Sequence, residues 1–259
     1  MIELGINDLE VYKQNLLKRK QSFVLEKKRT ELNIFQHGKK IAKFKSNNSL
    51  SNLQRDDSKQ ILNLFATVKK SINKSLADNN YQVKKVRKKY DSTYSNKNLF
   101  YRLPIGTEFY YIDVKHCYWR IAYLKGYLSE YFYNKVLENK DLKIFRNMAL
   151  SCIIAPKKKE FYSDGRLVYS VEEDTTIYND VYESIRFTAW NLFGTITYDK
   201  IGKEKTIGYF TDGIMVFNED VPLVRTILAR NKLQYTIVKC IKVSDKEYLN
   251  SETNSVRRF

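Results

Sequence analysis

Tyr110-Tyr111-Ile112-Asp113-Val114-Lys115-His116-Cys117-Tyr118-Trp119 and Ile207-Gly208-Tyr209-Phe210-Thr211-Asp212-Gly213-Ile214-Met215-Val216 decide how this chain is read. Each stretch is an apolar run interrupted by one aspartate. Aromatic and β-branched residues dominate both, which favours extended backbone. A buried carboxylate without a partner costs several kcal/mol. Each aspartate therefore needs a cation, a set of donors or a metal. Two strand-borne aspartates that meet across a sheet form a candidate site for two Mg2+ ions and a triphosphate.

Around these stretches the pattern alternates between strand and helix periods. Residues 107–114 are expected as a strand, with a helix over about 117–136 behind it. A second helix starts near 141 and ends before Pro156. Phe161–Ser170 reads as a hairpin about Ser163-Asp164-Gly165. A helix over about 177–195, a strand over 206–217, a helix over about 219–231 and strands over about 234–243 follow. The residues ending in Val256-Arg257-Arg258-Phe259 read as loose. This order predicts an α+β domain with helices packed on an antiparallel sheet. Two alternatives stay open: Asp113 as the N-cap of the following helix, and Asp212-Gly213 as a turn rather than a bulge within one strand.

The chain of 259 residues is 43% hydrophobic and 14% aromatic, enough for a sizeable folded core. Its net charge of +17 is unevenly spread. Residues 1–102 hold 23 Lys and Arg against 9 Asp and Glu, whereas residues 103–259 hold 23 against 20. A basic front half points to a polyanion, with nucleic acid as the leading partner. The 20 tyrosines fit that partner, since each offers a stacking face and a polar tip. In the front half, residues 8–32 and 56–76 are expected as helices. Residues 33–46 form a short basic segment and Ser46–Asn52 a loop. Lys84, Lys85, Arg87, Lys88 and Lys89 form the densest cationic run. It is either a solvated surface or a set of phosphate contacts.

The three cysteines, Cys117, Cys152 and Cys240, have neither zinc-knuckle nor disulfide spacing. A reducing, cytoplasmic compartment is expected. Cys117 and Cys240 read as core residues. His116 and His37 are too far apart in sequence to suggest zinc. No signal peptide and no membrane-spanning run is read.

Asp113-Val114-Lys115-His116-Cys117-Tyr118 resembles motif A of family B DNA polymerases, an aspartate followed five residues later by a tyrosine. His116, Cys117 and Trp119 depart from the usual serine, leucine and proline. Lys143 and Asn147 have the spacing of motif B, but Met148, Leu150 and Ser151 do not continue it. Tyr209-Phe210-Thr211-Asp212-Gly213 resembles motif C, with Phe210 in place of the first of its two aspartates. The resemblance spans roughly residues 105–243. It implies an antiparallel palm-like sheet over 99–259 with a short helical fingers hairpin at about 117–156. A basic, mostly helical region at 1–98 would precede it. It further implies that Asp113 and Asp212 bind two Mg2+ or Mn2+ ions, with the Val114 carbonyl as a further ligand. By the same resemblance Tyr118 would pack under the incoming sugar, and Lys143 and Asn147 would meet the dNTP. Arg146, on the same expected helix, is added as a second phosphate contact.

The expected function is template-directed nucleotidyl transfer on DNA, as a small polymerase making short products or relying on a replication partner for grip. A phage or mobile element would suit such an enzyme, which would then work in a bacterial host's cytoplasm. The rival is a non-catalytic nucleic-acid-binding protein on a decayed palm. A nuclease using the same two carboxylates ranks behind both.

Overall fold

The computed structural model describes residues 2–5, 8–27, 31–37, 39–45, 55–139, 142, 146, 149–151, 153–154, 158–172 and 174–259; for 2–5, 31, 45 and 55–62 it describes the backbone alone. In chain order the elements are β1 (Ile2–Gly5), α1 (Leu9–Lys18), β2 (Phe23–Lys27), β3 (Glu31–Gln36), β4 (Lys39–Lys45) and α2 (Arg55–Asp78). Next come β5 (Tyr94–Ser95), α3 (Lys97–Arg102), β6 (Glu108–Val114), α4 (Cys117–Leu124), α5 (Glu130–Glu138), β7 (Lys158–Ser163) and β8 (Arg166–Glu172). The chain then forms α6 (Thr176–Gly194), a π-helix (Thr195–Ile201), β9 (Gly208–Phe210), β10 (Gly213–Val216) and a 3-10 turn (Asn218–Asp220). It closes with α7 (Val221–Arg230), β11 (Tyr235–Ser244), β12 (Glu247–Asn250) and β13 (Ser255–Arg258). The class is α+β, as the pattern predicts. No helix among the described residues is long and apolar enough to cross a membrane.

The chain divides into two compact units, each made of two segments. One holds residues 1–77 and 139–182, the other residues 78–138 and 183–259. The expected single boundary at residue 98 is therefore replaced by crossings at 77/78, 138/139 and 182/183.

The first unit is built on a six-stranded sheet in the order β1-β4-β3-β2-β7-β8. All its pairings are antiparallel except β1 with β4. This corrects the expectation of a mostly helical front region. Phe23 and Leu25 belong to no helical stripe, because they lie two apart, the period of one strand face. α1 stops at Lys18, Lys20 turns the chain with φ 52°, and β2 begins at Phe23. Leu16 of α1 then packs with Phe23, Leu25, Ile34, Ala42, Phe44 and Tyr162 in one core. The predicted hairpin forms, with positive φ at Asp164 and Gly165.

The second unit is built on a seven-stranded sheet in the order β13-β12-β11-β6-β10-β9-β5, antiparallel throughout. β6 is its middle strand. Phe109, Met215, Val238 and Cys240 line a core on one face with Phe100, Ile207 and Tyr248. Ile112, Val114, Ile214 and Val216 are buried on the other. The helix expected over 117–136 is broken in two. Gly126 takes φ 78°, and the amides of Gly126 and Tyr127 bond the carbonyls of Tyr123 and Ala122. This is a Schellman stop, which a glycine permits at little steric cost. The expected loose terminus is also corrected. β12 and β13 pair, and Phe259 stacks on Phe100 with ring centroids 4.0 Å apart.

Lys242 lies 1% exposed on β11. Its ammonium donates to the carbonyls of Tyr101 and Leu103 at 3.1 and 2.6 Å and stands 3.6 Å from Asp245. It thereby ties the exit of α3 to the sheet. Replacing it removes two hydrogen bonds from a charged donor to part-buried carbonyls, each worth about 1.5–3 kcal/mol. Lys242→Met is expected to lower the thermal midpoint by several degrees, measured by circular dichroism. An unchanged midpoint would show that the ammonium contributes no net stability.

Candidate active site

Asp113 is the penultimate residue of β6, and its register partner on β10 is Gly213. Asp212 immediately precedes Gly213. The run expected as one bulged strand over 206–217 is instead a tight hairpin, in which Phe210 pairs with Gly213 and Thr211-Asp212 form the turn. The amide of Val114 donates to the Asp212 carbonyl at 2.8 Å, which fixes that turn against the end of β6. Two aspartates about a hundred residues apart in sequence are thus brought to adjoining places, Asp113 near the end of β6 and Asp212 in the turn one position before its register partner Gly213.

Strand alternation puts Tyr111 on the same face as Asp113. The Tyr111 hydroxyl donates to Asp113 Oδ1 at 3.2 Å. Burial raises the Tyr111 pKa well above the usual phenol range, and the negative charges of Asp113 and Asp212 raise it further. Burial likewise pushes the Cys117 thiol up, and again both carboxylates add to the effect. One phenol and one thiol therefore feel both aspartates, so the two charges share one neighbourhood. Gly213 makes the packing possible. A Cβ there would stand 2.5 Å from the Tyr111 hydroxyl oxygen and 2.6 Å from its ring. Glycine is required here for close approach rather than for an unusual φ.

Asp212 is half-buried. Burial raises its pKa above the ordinary carboxylate value, while bonds from the Thr211 hydroxyl and from its own amide pull the other way. A nearby divalent cation would reverse the effect of burial. The donor set is hard oxygen, which suits Mg2+ or Mn2+ rather than zinc. Among the described residues no group of three or more His, Cys, Asp or Glu gathers as a metal centre.

Tyr118 lies in the first turn of α4, half-buried. The N-cap position of α4 belongs to His116, in left-handed backbone with φ 54°, so Asp113 is not the cap. The Tyr118 hydroxyl accepts a 3.0 Å bond from the Trp190 indole N–H on α6. The guanidinium of Arg186 stands 5.1 Å from the Trp190 ring, and the ammonium of Lys88 stands 5.8 Å from it. Trp190 thus holds Tyr118 in place.

The basic run forms neither helix nor strand. Residues 82–89 lie along α6, where Ser184 bonds the Lys84 carbonyl, Asn191 bonds the Arg87 carbonyl, and the Lys89 amide bonds back to Asn191. The backbone is tied down and the side chains of Lys84, Lys85, Arg87, Lys88 and Lys89 are exposed. Lys88 pairs with Asp91 and Lys89 with Asp199. Such exposed pairs contribute little stability.

Asp113, Val114, Asp212, Tyr118 and the basic run all belong to the second unit. Arg146 belongs to the first and is only 3% exposed. Lys143 and Asn147, and with them most of the expected second helix, lie outside the described residues, as do Cys152 and the Ser46–Asn52 loop. Cys117 and Cys240 are buried core thiols, as expected. The signal missed in the sequence was Tyr111: an aromatic two residues before an aspartate on a strand shares its face.

On the sheet of the first unit, Lys40, Phe35, Val24, Phe161 and Tyr169 are register partners across five strands. Phe161 and Tyr169 stack with centroids 4.2 Å apart. Sequence periodicity missed this row, because the front region was read as helical. Comparison of the chain with protein-family models, with curated proteins and with solved structures returns no match.

One consequence of the buried charge is measurable. A carboxyl whose pKa is higher folded than unfolded opposes folding once pH exceeds both values, and the penalty fades as pH falls through the folded value. Asp212→Asn is therefore expected to raise the thermal midpoint at neutral pH in EDTA. The gain should disappear at acid pH, where Asp212 is protonated. Melts across this range check the sign, and a midpoint lowered at neutral pH would contradict it.

Proposed function

We propose that this chain carries out template-directed nucleotidyl transfer on DNA, as a small polymerase-like enzyme working with divalent cations. The observation that carries this is the register of β6 and β10, which sets Asp113 beside the Asp212 turn. Phosphoryl transfer asks little covalent chemistry of a protein; it asks for positioned charge. Mg2+ or Mn2+ held by Asp113 and Asp212, with the Val114 carbonyl as a further ligand, would activate the attacking hydroxyl and steady the leaving pyrophosphate. Tyr111 orients the Asp113 carboxylate by its hydrogen bond. Tyr118, whose hydroxyl is held by Trp190, is the residue proposed to meet the sugar of the incoming dNTP. The exposed Lys84, Lys85 and Arg87 supply phosphate contacts to the primer-template. The row of Phe35, Phe161 and Tyr169 offers stacking faces of the kind that single strands use. Lys143 and Asn147 keep their proposed part in triphosphate binding on the strength of the resemblance alone, and Arg146 only from its place on the same expected helix.

A second reading is a nucleic-acid-binding protein without catalysis. Phe210 in place of the first motif C aspartate favours it, as does the burial of Arg146.

Primer extension separates the two readings. Asp113→Asn and Asp212→Asn are each expected to reduce dNTP incorporation by about a thousandfold or more while leaving DNA binding intact. Full activity in either variant, or no activity in the parent chain with Mg2+ or Mn2+, would remove the catalytic assignment.

Sugar discrimination is a separate measurement. Tyr118→Ala is expected to admit ribonucleotides, and Trp190→Phe to do so to a smaller degree, since it frees the Tyr118 hydroxyl without removing the ring. Incorporation ratios of dNTP to NTP read the effect. A ratio unchanged in Tyr118→Ala would end the gate role.

A further inference from the structure

In the second unit, two adjoining cavities of about 650 and 240 Å3 share Leu124 and Lys125 in their walls. The larger is also lined by Val86, Leu192 and Leu233, and the smaller by Lys84. Arg230 and Lys232 stand at the larger cavity's wall. The combined lining thus holds four cations and no carboxylate. Lys84, Arg230 and Lys232 are exposed and Lys125 is half-buried. Burial lowers the pKa of Lys125, and the positive charge of Lys84 lowers it further. Like charges gathered beside an apolar wall repel one another, and the gathering becomes favourable once an anion enters.

The walls also limit what that anion can be. Val86, Leu124, Leu192 and Leu233 offer an aliphatic surface on which a flat ring can lie, and the space is that of a small-molecule site. Val86 belongs to the basic segment, so the segment itself forms part of the wall. The cavities adjoin a line of exposed cations, as the path of a phosphodiester chain would require.

We propose that this cleft is a nucleotide site, seating the base against Leu124, Leu192 and Leu233 and the phosphate among Lys84, Lys125, Arg230 and Lys232. The nucleoside phosphate is either free or one unit of a single strand. The site does not involve Asp113 or Asp212 and needs no divalent cation, so it stands whether or not the polymerase reading does.

The test is equilibrium binding in EDTA, which silences the carboxylate pair. The probes are mant-dAMP and a fluorescein-labelled five-residue oligo-dT. Lys125→Met and Arg230→Gln are each expected to weaken binding about tenfold, the usual effect of losing one charge-assisted contact. The remote exposed lysine variant Lys246→Met should leave it unchanged. If Lys85, Arg87 and Lys88 variants also weaken the oligonucleotide but not mant-dAMP, the ligand is a unit of a strand. If they weaken neither, it is the free nucleotide. Three results would overturn the proposal: no binding of either probe, equal weakening by Lys246→Met, or displacement by pyrophosphate as effective as by dAMP. The last would show an anion site with no role for the base. Lys125→Arg, which keeps the charge, should retain most of the affinity and guards against a folding defect in Lys125→Met.

Discussion

The pairing of β6 with β10 on one side and β11 on the other is the constraint on which the second unit rests. It makes β6 a central strand with both edges bonded, so its side chains point only into the two faces of the sheet. Ile112 and Val114 serve one face; Phe109 and Tyr111 serve the other. A charge at position 113 cannot escape this arrangement without breaking the ladder. It is tolerated because it comes at the strand's end, beside a turn, with a phenol to donate to it. The same ladder fixes Asp212, whose carbonyl is held by the Val114 amide. One backbone ladder thus fixes the position of both acids.

A second layer of support comes from α6. It holds the basic segment through Ser184 and Asn191, and Tyr118 through Trp190. Just beyond, Gly194 lets the Tyr90 ring approach closely, since a Cβ there would stand 2.1 Å from that ring. Tyr90 in turn bonds Asp199 and stacks on Tyr198 in the π-helix. One helix therefore sets both the candidate sugar contact and the path of the cationic residues.

How much of this was legible in the sequence depends on the range of the interaction. Strands around Asp113 and after Gln234, the hairpin at Asp164-Gly165 and the helix over 176–194 follow from local periodicity and turn chemistry, and they were read correctly. The errors share a cause. Phe23 and Leu25 fit a helical stripe only loosely, and the tertiary partners of their strand lie at Phe161–Tyr162, far along the chain. The terminus looked polar and free because its partner, Phe100, is equally remote. Of the candidate site, the two aspartates stood out because their apolar surroundings conflict with their charge, whereas Tyr118 was named only through the resemblance to motif A. Trp190 went unassigned because a tryptophan on a helix carries no such conflict. The four cations of the cleft come from three separate regions of sequence, so only folding brings them together.

The interleaving of the two units has a consequence for how the chain is made and cut. β7 and β8 complete the first unit's sheet by adding onto β2, yet they are synthesised only after residues 78–138 have emerged. The earlier strands must therefore wait on the ribosome with the β2 edge open, an exposure that invites wrong pairing. Deleting the basic front half would equally strip β7 of its neighbour and strand residues 139–182 without a fold. A dissection that respects the fold removes 1–77 and 139–182 together, since these two segments make up one unit.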